Sequence, residues 1–177
     1  AELNEEYGPV YGRQFFSTTP QMMYTLPIEE EIASGQEALP YDRVSAIVEQ
    51  SQSFMVQECI CKKEQGLLDN PCSKPLEICM AFAPVPDIFK DSEVGRVITK
   101  EEAKALLKKA EEAGLVHLTN NFQNGRFFIC NCCGCCCGVL QGINKLGIPA
   151  SSVINAHYFA LIDPDACTGC GLCADER

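Results

Sequence analysis

Three helical signatures followed by a strand, a turn and a strand predict an α+β fold: a helical, winged-helix-like domain with a β-hairpin wing, leading into a cysteine-rich segment and a small last module. The boundaries fall at 1–40 for an extended N-terminal arm, 41–130 for the winged-helix-like domain, 131–156 for the cysteine-rich segment and connector, and 157–177 for the start of the last module. With 177 residues and 46% hydrophobic composition, the chain can bury one real core without covalent staples.

Proline spacing defines the arm. Gly8-Pro9, Thr19-Pro20, Leu26-Pro27 and Leu39-Pro40 disfavour continuous helix and leave one short helical stretch near Ile28 to Ala33. Phe15, Phe16, Met22, Met23 and Tyr24 give the arm an apolar surface, which fits an arm laid over this chain's own core better than one exposed for a partner. From Asp42, the residues Val44, Ile47, Val48, Ser51, Met55 and Cys59 recur at three-and-four spacing and predict the first helix. Ser73 as N-cap, with Pro75 in the first turn, predicts a second helix carrying Leu76, Ile78, Cys79 and Met80. The third has the clearest ends, with Thr99 and Glu102 as a capping box, helix formers from Lys100 to Ala113, and Gly114 as the stop. Leu115-Val116-His117-Leu118, a polar tip at Asn120 to Gly125, and Arg126-Phe127-Phe128-Ile129 then read as the hairpin.

A winged helix raises the question of DNA, but the formal net charge is -10 and no basic patch tracks phosphates. The third helix interleaves Glu101, Glu102, Glu111 and Glu112 with Lys100, Lys104, Lys108 and Lys109, a solvated face with i,i+4 pairs. Nucleic acid is therefore not expected as a partner. No run of roughly eighteen apolar residues and no charged-then-apolar leader is present, so membrane insertion is not expected and a reducing cytoplasm is the simplest location.

Thirteen cysteines carry the chemistry. Six of the eight residues from Cys130 to Cys137 are cysteine: Cys130, Cys132, Cys133, Cys135, Cys136 and Cys137. Thiolates packed this closely repel one another as anions and scramble when oxidised, and a soft metal centre resolves both problems. An odd count and adjacent thiols that cannot pair with each other argue against a disulfide scaffold. By position the cysteines form three groups: Cys59, Cys61, Cys72 and Cys79; the 130–137 tract; and Cys167, Cys170 and Cys173.

Cys167-Thr-Gly-Cys170-Gly-Leu-Cys173 matches the bacterial ferredoxin run, in which two-residue gaps let three thiolates wrap one [4Fe-4S] cubane. Zinc sites show separated Cys-x2-Cys pairs instead, so the tandem favours iron. The last module is thus an incomplete ferredoxin-like one. Its expected fourth cysteine, four residues after Cys173, is Arg177; the missing ligand lies beyond this residue, comes from the 130–137 tract, or is lacking. In the first group, Cys59 and Cys61 cannot share a helix face, so the chain must leave the helix there, and four thiols close one site. The tract offers more ligands than one cubane takes, and either lends its surplus to a neighbouring cluster or holds a non-standard cluster. Its repeated Cys-Cys-Gly at 132–134 and 136–138 resembles the CCG element of heterodisulfide-reductase-type proteins, but the copies here are far closer together than in that family.

Beyond the tract, Glu58-Cys-Ile-Cys-Lys62, Pro75-Leu-Glu-Ile-Cys-Met80, Gly95-Arg-Val-Ile-Thr-Lys-Glu-Glu-Ala103, Ala110-Glu-Glu-Ala-Gly-Leu-Val-His117 and Ile129-Cys-Asn-Cys-Cys-Gly-Cys-Cys-Cys137 are similar to a family of 4Fe-4S binding proteins found mainly in anaerobes. The resemblance spans about residues 20–175 and implies cluster binding and electron transfer. All thirteen cysteines are then candidate ligands for two or three 4Fe-4S clusters, and a redox protein or a larger oxidoreductase complex is the expected partner, with the acidic surface suited to a basic one. The alternatives are an iron-sulfur-sensing winged-helix regulator and a structural zinc protein. No nucleotide or radical motif is present, and His117 and His157 read as packed or capping side chains rather than ligands.

Overall fold

The computed structural model describes residues 2–29, 32, 43–122 and 125–175. The chain forms α1 (Glu2–Phe16), β1 (Met23–Thr25), α2 (Val44–Glu49), β2 (Ser53–Glu58), α3 (Ile60–Leu67), β3 (Glu77–Ala83), β4 (Arg96–Ile98), α4 (Lys100–Glu112), β5 (Val116–Asn120), β6 (Phe128–Cys132), α5 (Gly138–Asn144), α6 (Ala150–Val153), β7 (Ile154–Asn155) and α7 (Leu172–Asp175). Seven strands make one sheet in the order β4-β2-β3-β6-β5-β1-β7. Every pairing is antiparallel except β1 with β7. The protein is therefore mixed α/β and built on a sheet rather than on a bundle of helices.

The third predicted helix is α4, and its cap is the predicted one: the Thr99 side chain accepts the Glu102 N–H at 3.1 Å. Its buried stripe of Ala103, Leu107 and Ala110 lies against the core. The hairpin also forms, as β5 and β6, with Val116 opposite Cys132, His117 opposite Asn131 and Leu118 opposite Cys130.

Two of the predicted helices are different elements. The first ends at Glu49, where Val44, Ile47 and Val48 fill its buried face and the Ser51 hydroxyl bonds the Ile47 carbonyl at 2.8 Å. Met55 then lies in β2 and Cys59 just after it. Spacings of four satisfy a strand's period of two as well as a helix's, so Ser51, Met55 and Cys59 fit either reading. The helix predicted from Ser73 is the strand β3, in which Ile78, Met80 and Phe82 alternate and are buried. Conversely, Glu2–Phe16 is helical with Pro9 inside it, where proline spacing predicts extended chain. The short helix near Ile28 to Ala33, the start at Asp42 and the far part of the tip at 120–125 extend into positions outside the described residues.

Tyr24, Leu26, Val48, Phe54, Val56, Met80, Phe82, Leu107 and Ile129 form the main core where α2 and α4 cover the sheet. Burial of such side chains stabilises the fold by roughly 1.5–3 kcal/mol each. Beyond it the core changes character and becomes largely sulfur: Cys59, Cys79, Cys133 and Cys136 pack with Ile78, Ala110 and Leu115, and Cys132 and Cys137 pack with Leu118.

Candidate metal centre

Three adjacent strands deliver thiols to one end of the sheet. Cys59 follows β2, Cys79 in β3 stands opposite Gln57, and Cys130 and Cys132 lie in β6, the next strand over. Residues two apart in a strand share a face, so Cys130 and Cys132 point together while Asn131 points away. Two helices bring the rest, since Cys59 is the N-cap of α3, with Cys61 in its first turn, and Cys137 is the N-cap of α5.

The six thiols close into a ring. Electrostatically, Cys59 interacts with Cys61 and Cys79, Cys79 with Cys130, Cys130 with Cys132, Cys132 with Cys137, and Cys137 with Cys61. The thiol shifts alternate in direction around it. The S–H groups of Cys61 and Cys79 hold Cys59 well below the usual thiol range, Cys132 and Cys79 do the same for Cys130, and Cys132 and Cys61 for Cys137. Cys61, Cys79 and Cys132 are pushed up by the ionised neighbours they face, Cys137 and Cys59 for the first, Cys130 and Cys59 for the second, Cys130 and Cys137 for the third. Like charges this close cannot all form without a cation among them.

The scaffold supplies positive potential. The Lys62 backbone N–H reaches the Cys59 sulfur, the Gly138 N–H reaches Cys61, and the Leu140 and Val139 N–H groups reach Cys137. Lys62 itself is only 4% exposed, and its ammonium donates to the Pro75 carbonyl at 2.6 Å. A lysine so buried is expensive unless negative charge lies nearby, and here it acts on the Cys59 thiolate.

A second assembly is smaller and tighter. Cys72, Cys133, Cys135 and Cys136 place their four sulfurs within 4.8 Å of one another, with Cys72 to Cys133 at 3.7 Å, Cys72 to Cys135 at 3.6 Å and Cys135 to Cys136 at 3.6 Å. Among the described residues this is the set of three or more such donors that meets that spacing, so the ring is wider across. A turn over 134–136 holds the tract thiols, with the Cys136 and Cys137 N–H groups donating to the Cys133 carbonyl at 3.4 and 3.1 Å. Burial pushes the Cys133 thiol up to about 12.

The grouping read from the sequence is thus redistributed. Cys59, Cys61 and Cys79 stay together, but Cys72 sits in the loop before β3 and joins the tract instead. The tract divides, with Cys130, Cys132 and Cys137 in the ring and Cys133, Cys135 and Cys136 in the quartet. Lys62 was not among the site residues expected, because a charged side chain in an amphipathic stretch reads as surface.

Cys167, Cys170 and Cys173 are all exposed, in a loop before and within α7. Gly169 and Gly171 have φ of 68° and 79°, left-handed values that glycine adopts at no steric cost and that curl the backbone around its thiols. The Leu172 N–H and the Thr168 side chain hold Cys170 below the usual thiol range. Arg177, the expected fourth-ligand position, lies outside the described residues.

The two histidines differ, His117 being packed in the core and His157 exposed. His117 is buried, with Nδ1 at 2.6 Å from the Asn131 carboxamide oxygen and Nε2 at 3.3 Å from Glu111, while Asn131 donates to the Ile78 carbonyl at 2.5 Å. His157 meets Tyr24 edge to face at 5.3 Å. Outside the ring, α1 lies across α5, with Phe16 against Gly138 and Gly142, and bounds a cavity of about 430 Å³ whose wall includes Cys61 and Cys136.

Residues 160–176 match the family described as 4Fe-4S binding domain. No curated protein and no solved structure matches the chain. The match and the cysteine clusters together support an iron-sulfur protein. No helix among the described residues is long and apolar enough to cross a membrane.

Proposed function

We propose that this chain is a multi-cluster iron-sulfur protein that passes single electrons to, or within, a redox partner complex. The observation that carries the proposal is the pairing of a matched 4Fe-4S segment, with three exposed thiols, and a ring of six buried or half-buried thiols in one chain. Bound iron-sulfur clusters supply reversible one-electron storage. The ring residues fit such a group, because their thiolates converge, backbone N–H groups point at three of the sulfurs, and Lys62 adds a buried positive charge. A cubane takes four thiolates, so the ring has enough ligands for one and is rich for it.

The loop of Cys167, Cys170 and Cys173 presents its thiols at the surface, where a partner can reach them. Phe159, Leu161, Ile162 and Leu172 beside them are each more than half exposed and offer an apolar docking patch on an otherwise acidic chain. Changing Cys167, Cys170 and Cys173 together to Ser removes the iron and sulfide of one cluster and leaves the far-ultraviolet circular dichroism unchanged. Unaltered iron content in that variant would contradict the assignment of the loop.

A further inference from the structure

The two thiol assemblies at the end of the sheet differ in size, and size decides what each can hold. In a cubane each thiolate binds its own iron, so four irons and four sulfides stand between the ligands and hold the thiolate sulfurs well beyond contact distance. Around a single ion with bonds of about 2.3 Å, four thiolates lie about 3.8 Å apart, the edge of the tetrahedron. The quartet has contacts of 3.6, 3.6 and 3.7 Å and all four sulfurs within 4.8 Å. We propose that Cys72, Cys133, Cys135 and Cys136 hold one tetrahedral metal ion of the zinc type, and not an iron-sulfur cubane.

The surroundings suit a closed structural site. All four positions are filled by protein sulfur, which leaves no open coordination position for substrate. The Lys74 N–H donates to the Cys72 sulfur at 3.4 Å, orienting the ligand from outside, and the Lys74 ammonium is anchored on the Ala113 carbonyl at 2.8 Å. Gln141 fixes the opposite side by donating to the Cys135 carbonyl at 2.6 Å. Three ligands come from one turn, and the fourth comes from a loop some sixty positions earlier in the chain. The ion therefore clamps the loop before β3 onto the tract. Its immediate chain neighbours, Cys132 and Cys137, are ring members, so this clamp holds two ring thiols in register.

The test is metal and sulfide analysis of the anaerobically purified full chain, beside the Cys135→Ser and Cys72→Ser variants. Cys135 is exposed, so its replacement spares the core. The wild type should contain one equivalent of zinc, with a zinc-edge X-ray absorption spectrum of a single sulfur shell and no metal–metal scattering. Both variants should lose that zinc and keep their iron and sulfide. Loss of a single iron without sulfide, from a preparation lacking zinc, also supports the mononuclear site. Loss of about four irons and four sulfides from Cys135→Ser would overturn it. A wild type with zinc but no iron would leave this site standing and instead refute the electron-transfer reading, so the two proposals fail separately.

Discussion

The ring and the ferredoxin-type loop meet the same chemical need in opposite ways. Around the ring, β3, β6, α3 and α5 each contribute to a buried or half-buried set whose members are up to 78 positions apart in sequence, Cys59 and Cys137 being the extremes. The loop places three thiols within seven residues, all exposed, using glycine at two left-handed positions in place of tertiary support. A ligand set built by the fold is coupled to the fold's stability. One built by a local sequence run is not.

The largest expected effect follows from that contrast. Cys132→Ser places a hydroxyl beside Leu118 and Cys137 in a dry cluster and removes a ring ligand. It should lose the ring's iron and also lower stability by about 1–3 kcal/mol, read as a drop in denaturant midpoint. The loop variant with all three cysteines changed to Ser should lose iron while its midpoint moves by less than about 0.5 kcal/mol, as exposed substitutions do. Equal destabilisation by the two would erase the distinction between them.

A smaller effect probes the ring's electrostatics. Lys62→Met keeps most of the apolar stem but removes the buried charge that favours the Cys59 thiolate. The ring's midpoint potential should become more negative by on the order of 60 mV, a tenfold change in a one-electron equilibrium, because added negative charge is then less well accommodated. The loop's potential should stay where it was. A shift confined to the loop would place Lys62 next to the wrong centre.

The parts legible in the sequence were those whose signals are local. Thr99 and Glu102 announce α4, the polar tip announces the β5–β6 hairpin, and the spacing of Cys167, Cys170 and Cys173 announces its chemistry without any fold at all. The strand β3 was hidden because Ser73 and Pro75 imitate a helix start, while the alternation of Ile78, Met80 and Phe82 that identifies the strand extends past the cysteine of interest. Membership of the ring was hidden for a different reason. Sequence proximity groups Cys72 with Cys59, Cys61 and Cys79, but sheet order brings β6 beside β3 and so brings Cys130 and Cys132 to Cys79. Neighbours in the tract part company because successive residues at the end of a strand and in the following turn point in different directions.

Electron paramagnetic resonance of the anaerobically purified, dithionite-reduced protein, with spin quantitation in the wild type and in the loop variant, tests the central claim most directly. The account predicts iron-sulfur signals from more than one centre in the wild type, with one contribution missing when Cys167, Cys170 and Cys173 are Ser and the ring's signal retained. A colourless protein with zinc and no reducible iron-sulfur signal would contradict it.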